Sequence, residues 1–174
     1  MERPAEAEFA AFYRGYVALV PETDVLSVLA AQSGELRQLL AGVTPAREGH
    51  RYAPGKWSIR ELIGHLCDAE RVFGYRAYCI SRGERQPLPG FDENEYVSAA
   101  GSEQRRLADL VTELAVVRES NLAVLRVLDD SAWRRVGNAN GNPVSVRALA
   151  FMMAGHFRHH CGVLRERYAV APPA

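Results

Sequence analysis

The sequence is short of lysine, cysteine and long apolar runs, and each shortage excludes something. Lys56 is the only lysine among 21 basic residues, an arginine bias that reads as the coding habit of a GC-rich genome rather than as chemistry. Those 21 basic residues are matched by 21 acidic ones, for a formal charge of zero. The basic surplus that a nucleic-acid or anionic-membrane partner requires is therefore missing. The three cysteines, Cys67, Cys79 and Cys161, are odd in number and form no CxxC pair. Each falls in an expected helix beside apolar residues, which predicts buried reduced thiols and no disulfide framework. No apolar run approaches the ~20 residues of a membrane helix. The opening MERPAEAEFAAFYRGY is acidic where a secretory signal is basic and then apolar. We expect a soluble, cytoplasmic protein without nucleic-acid or membrane partners. A Gly-rich phosphate loop, GxSxG, HEXXH, zinc-finger cysteine spacing and any βαβ pattern are also lacking.

What is present is helical periodicity. The chain has 174 residues, 48% of them hydrophobic, enough for one domain over 1–174 with its core at about 20–170. A short leading helix is expected at 8–19, where Phe9, Phe12, Tyr13 and Tyr16 recur at helical spacing as packing residues. The first long helix spans Pro21 to about Gly42 on an apolar stripe from Val25 to Leu40. Ser58-Ile59-Arg60-Glu61 has the form of a capping box and opens the second, to about Ser81. The third runs from Ser102 to about Leu128. Asn140-Gly141 and Asn142-Pro143 permit a small hairpin anchored by Trp133, and Ser145 caps the fourth, to Arg167. Residues 82–101 form a long Pro/Gly/acid-rich connection, long enough to carry the chain back over a bundle so that the helices it joins run parallel. The expected fold is all-α, a four-helix bundle with a long crossover between its second and third helices.

Three of the five histidines lie on the fourth helix. His156 and His160 are four apart, about 40° from each other on the wheel, within the stripe of Leu149, Met152, Met153, Val163 and Leu164. His65 occupies the apolar face of the second helix between Leu62, Leu66 and Ala69, and Asp68 follows three residues later. Three imidazoles with an open position are the ligand set of a catalytic metal, and bundles build such sites from facing helices. Spacing alone leaves two readings open: a metal site, or hydrogen-bonded core histidines. His159 points off the stripe and is set apart as a rim residue.

The block YAPGKWSIRELIGHLCDAER (52–71), the following YRAYCISRGERQPLPGFDENEYV and the late GHFRHH resemble the DinB-like superfamily, in particular its YfiT-like branch of small metal-dependent hydrolases, over roughly residues 20–170. The resemblance implies a four-helix bundle of up-down-down-up topology. It implies a divalent metal, zinc or nickel, on one histidine of the second helix and two of the fourth. By motif position these are His65, His156 and His160. It also implies a low-molecular-weight thiol as cosubstrate, since family members include bacillithiol- or mycothiol-dependent transferases and a mycothiol-dependent isomerase. Homodimerisation is a further implication of the family.

Three functions follow as expectations. In an S-transferase, the metal lowers the pKa of the thiol for attack on a small electrophile, with Asp68 orienting His65 or lying by the open position, and Asp92 and Tyr96 contacting substrate if the long loop closes over the site. In a hydrolase, water replaces the thiol and Asp68, Asp92 or Glu93 is the base. The third is a non-enzymatic, stress-related bundle that binds metal or a small ligand.

Overall fold

The computed structural model describes residues 2–172. Its helices are α1 (Arg14–Ala18), α2 (Val25–Leu40), α3 (Ile59–Ser81), α4 (Glu93–Ala99), α5 (Leu107–Leu125), α6 (Asp130–Trp133) and α7 (Val146–Arg167); β1 (Val136–Ala139) and β2 (Asn142–Ser145) form an antiparallel hairpin. Among the described residues no helix is long and apolar enough to cross a membrane.

Local chemistry sets the helix starts. The Ser58 hydroxyl accepts from the Glu61 amide at 3.1 Å while Glu61 accepts from the Ser58 amide at 2.7 Å, a reciprocal cap that fixes the entry to α3. Ser145 caps α7 by accepting from Ala148 N–H at 3.0 Å. The first long helix begins at Val25, later than its Pro21 expectation, because Asp24 supplies the cap by accepting from Ser27 N–H. The third begins at Leu107, not Ser102: Gly101 turns left-handed at φ 64° and residues 102–104 tighten into a 3₁₀ turn. That bend seats Ser102 against Gly64, where any Cβ would lie 2.2 Å from the Ser102 hydroxyl.

α2, α3, α5 and α7 form the bundle. Both α2 and α3 pack on α5 and α7, so α2 and α3 face each other across a diagonal. The directions follow from the contacts. Cys67 meets Leu110, Glu70 meets Arg118 and Gly74 meets Asn121, so α3 and α5 climb together. Gln32 meets Ala154 and Gly42 meets Ala171, so α2 and α7 climb together. Leu29 meets Arg118 while Leu40 neighbours Leu107, so α2 opposes α5. The order is up-down-down-up, and the 82–101 connection is the crossover that makes α3 and α5 parallel.

That crossover is not structureless. It carries α4 and is pinned where Leu88 exchanges backbone hydrogen bonds with Asn138 and Asn140 of the hairpin, at 2.9 and 3.0 Å. Gly90 packs closely there: a Cβ would lie 2.2 Å from the Asn140 side-chain oxygen, so that side chain would have to move. Trp133 is buried in the core, as expected of the hairpin's anchor. Cys67 and Cys161 are buried, whereas Cys79 is only half-buried.

The apolar core is in two parts, one around Leu29, Phe73 and Phe151, the other around Leu36, Leu62 and Phe157. Between them lies a buried polar layer. Arg118 binds both oxygens of Glu70 at 2.7 and 2.9 Å and also donates to Leu29 O and to the Gln32 side chain. Gln32 in turn donates to Ala154 O at 2.9 Å. This layer ties α2, α3, α5 and α7 together immediately beside His156.

The leading segment is two 3₁₀ turns followed by α1, rather than one helix, and it crosses α7 at Gly155. A Cβ on Gly155 would lie 1.9 Å from the Tyr16 carbonyl, a backbone clash that no rotamer relieves. Gly155→Ala is expected to cost about 1–3 kcal/mol and to raise hydrogen exchange across residues 9–19; unchanged exchange there would refute the close-approach role.

Candidate metal centre

His65 on α3 and His156 and His160 on α7 converge. The Nε2 atom of His156 lies 3.0 Å from Nε2 of His65 and 3.1 Å from Nε2 of His160, and the ligand atoms of all three fall within 4.8 Å of one another. His156 is the hub. Its Nε2 has one proton or one in-plane lone pair, so it cannot satisfy two facing Nε2 atoms well. A divalent cation satisfies all three lone pairs together. Nitrogens held at ~2.0–2.1 Å by one zinc in tetrahedral directions lie roughly 3.3 Å apart, close to the spacing found here. The residues present fit a metal.

Electrostatics point the same way. Burial, with a smaller contribution from nearby His159, lowers the His65 pKa to about 4. His156 and His160 are pushed well below their ordinary value, chiefly by burial and then by neighbouring imidazoles; Arg118 adds to the effect on His156. All three are neutral at pH 7, which is the form that ligates. His159 is exposed, with its ring against Tyr16 at 5.3 Å, and stands outside the converging set.

The histidines floor a cavity of about 290 Å³. Aromatic rings shape it: Trp57 lies 4.7 Å from the His65 ring, and Tyr16 and Phe73 lie 5.3 and 5.7 Å from His156. Farther along α3 it is bounded by Arg76, and the crossover and hairpin contribute Phe91, Glu93 and Asn140. A second cavity of about 280 Å³ opens on the other side of Trp57, sharing Trp57 and His160 with the first and lined also by Lys56 and Tyr52.

The other expected site residues lie elsewhere. Asp68 is half-buried and turned from the cavity toward α5. Burial raises its pKa, Arg71 and Glu113 are the charges it feels, and its Oδ2 has no partner. Three residues is short of a full turn, so Asp68 leaves the face that His65 and Ala69 share. Asp92 is spent as the α4 cap, accepting from the Asn94 and Glu95 amides at 2.8 and 3.1 Å. Tyr96 is 48% exposed and packs on Phe91, outside the cavity. Its neighbours Phe91 and Glu93 are the crossover residues that reach inward.

Sequence reasoning left Tyr13, Tyr16 and Phe12 as packing, yet all three line the cavity. Their spacing was visible; that the leading segment crosses α7 was not. The clasp holding this segment is Glu8, which accepts from the Ser145 hydroxyl at 2.6 Å and from Arg147 Nε at 2.7 Å. Burial raises the Glu8 pKa, but the Arg147 and Ser145 hydrogen bonds outweigh it and lower the value from 4.5 to about 2. A depressed carboxylate contributes stability above its unfolded pKa and loses it as pH falls through the folded one. Exchange protection of residues 9–19 is therefore expected to fall between about pH 4.5 and 2, and Glu8→Gln should lack this step; an identical profile in the variant would reject the clasp.

The sequence profile of the DinB superfamily matches residues 29–164. No functionally curated protein matches the chain. Among solved structures, YfiT from Bacillus subtilis, described as a probable metal-dependent hydrolase with an unusual four-helix bundle topology, superposes with a TM-score of 0.75 at 18% identity, covering 98% of this chain and 95% of YfiT. A mycothiol-dependent maleylpyruvate isomerase gives 0.67 at 17% identity, covering 84% of this chain and 61% of the isomerase. The DinB-like protein YjoA of Bacillus subtilis gives 0.59 at 22% identity, covering 87% and 96%. At these identities the likeness is one of fold. With the family profile covering most of its length, the chain belongs to the DinB superfamily.

Proposed function

We propose that this protein is a divalent-metal-dependent enzyme that transfers a low-molecular-weight thiol to a small organic electrophile. The observation that carries the reading is the convergence of three neutral imidazoles, His65 and His156 buried and His160 half-buried, on the floor of a cavity. His65, His156 and His160 would hold the ion, zinc or nickel by donor type. When bound, the ion supplies Lewis acidity, which favours a thiolate over a thiol at neutral pH. Trp57 and Tyr16 wall the site. The net reaction is RSH + R′X → RSR′ + X⁻ + H⁺, with the proton leaving to solvent.

Two observations support transfer over hydrolysis. The two cavities meeting at His160 and Trp57 give each of two reactants its own approach. Among the described residues Glu93 is the only carboxylate lining the histidine-floored cavity, whereas Asp68 and Asp92 are not on it. Glu93 is also what favours the second reading, a hydrolase in which it is the base toward an attacking water.

The test uses tag-free protein loaded with zinc or nickel and offered monochlorobimane with and without bacillithiol or mycothiol, with p-nitrophenyl acetate as the hydrolysis probe. Thiol-dependent conjugation abolished by chelation is the expected result. Thiol-independent ester turnover sensitive to Glu93→Gln would replace transfer by hydrolysis, and absence of metal uptake would end both readings.

A further inference from the structure

We propose that the end of the cavity remote from the histidines is a carboxylate subsite centred on Arg76, so that the substrate is an organic anion whose charged head rests on the guanidinium and whose apolar body extends back toward His65 and His156. The subsite rests on the preceding reading only in taking this cavity as the active site.

Arg76 is 3% exposed. A buried guanidinium is costly unless paired. The chain's other deeply buried arginine, Arg118, satisfies this requirement with both oxygens of Glu70. Arg76 has no salt-bridge partner among the described residues; its Nη2 donates to the Pro89 carbonyl at 2.6 Å. A guanidinium offers five N–H donors in a planar fork that matches a carboxylate two at a time. The Pro89 carbonyl and the adjacent Tyr13 phenol oxygen take part of that fork and leave the rest without a counter-charge, and Arg76 lines the cavity.

The surroundings fit an anion with an apolar body. Tyr13 lies beside Arg76; burial raises its phenol pKa, more than the adjacent guanidinium lowers it, so its hydroxyl keeps the proton a carboxylate would accept. The Asn140 side-chain amide, on the same cavity, is a further donor. Glu93 also lines the cavity, but on the exposed first turn of α4, and it forms no ion pair with Arg76. Between Arg76 and His65, α3 presents Phe73 and Ala69, and Phe91 closes from the crossover. His65 and Arg76 stand roughly 16 Å apart along the helix axis, a distance the arginine side chain partly spans. A ligand with one carboxylate and a short aryl or alkyl body bridges the rest.

A purely structural Arg76, holding Pro89, predicts no preference between an anion and its neutral isostere. The test titrates 4-phenylbutyrate and 4-phenylbutanamide into tag-free protein, as purified and again after chelation, so that a metal cannot be the carboxylate's partner. The acid is expected to bind at least about tenfold tighter than the amide, before and after chelation, and the preference should vanish in Arg76→Gln. The Arg76 Nε–H resonance of the wild-type protein should shift with the acid and not with the amide, a readout that stands if the variant folds poorly. Equal binding of the two probes, loss of the preference on chelation, its survival in Arg76→Gln, or an Nε–H that does not respond would each overturn the subsite. Metal uptake is assayed separately: uptake without an acid preference sinks this inference alone, and an acid preference without uptake sinks the metal reading alone.

Discussion

Replacing His156 with alanine is expected to abolish stoichiometric metal binding while leaving the bundle folded. His156 is the only histidine of the three whose Nε2 contacts both others, at 3.0 and 3.1 Å. Its loss removes a donor from the middle of the set and leaves His65 and His160 as a two-ligand remnant. Losing even an outer hydrogen-bond partner of a ligand costs roughly 10–100-fold in metal affinity, so losing the hub should cost more. The metal-free protein should tolerate the change well, because the hydrogen-bond arrangement of three facing Nε2 atoms is frustrated without a cation. The measurement is zinc content by mass spectrometry after equilibration and gel filtration of tag-free protein, with circular dichroism as the fold control. His159→Ala is the comparison and should keep one equivalent, because its exposed ring lies outside the set. One equivalent of zinc retained by His156→Ala would remove the proposed centre.

The second large effect is on stability. Arg118→Met is expected to destabilise the metal-free protein by about 3–5 kcal/mol, a substantial part of the roughly 5–15 kcal/mol available to a domain of this kind. The cost is not the arginine's own bonds alone. Its removal leaves Glu70, 3% exposed, as a buried carboxylate with only the Asn121 amide for company, and it strips donors from Leu29 O and the Gln32 side chain. Pairing the change with Glu70→Leu removes both charges and should recover most of the loss, since replacing a whole buried ion pair by apolar groups is often close to neutral. Urea denaturation of the two single variants and the double reads this directly. Additive losses would show that Glu70 and Arg118 are not acting as a pair.

These two outcomes separate what a linear pattern encodes from what packing creates. The helices were legible because their determinants are local. Apolar residues recurring at three and four, the Ser58–Glu61 box and the Ser145 cap specify α3 and α7 within a few neighbours of each terminus. The hairpin was legible for the same reason, its Asn140-Gly141 turn taking positive φ at both residues. Boundaries slipped where a second local signal competed, Asp24 at the start of α2 and Gly101 before α5. Inside the crossover, Asp92 caps α4 through a signal as local as that of Ser58, but the helix spans few residues and has no long periodic stripe to announce it.

For the site, the histidines were singled out by their place in apolar stripes and by the family motif, and the fold brings those three together. Asp68 was singled out by its spacing from His65, and Asp92 and Tyr96 as members of a long loop able to close over the site; neither spacing nor loop membership fixes the direction in which a side chain points. The buried ion pair of Glu70 and Arg118, the aromatic wall from the leading segment and the inward turn of Arg76 and Glu93 each depend on contacts between residues far apart in the chain. The sequence by itself determined four amphipathic helices, the caps of α3 and α7, the crossover and three imidazoles available to a metal, because each is a property of neighbouring residues. Only the tertiary structure decided that those imidazoles converge, which side chains wall the cavity above them and which buried arginine is left without a counter-charge, because these follow from the diagonal, up-down-down-up packing.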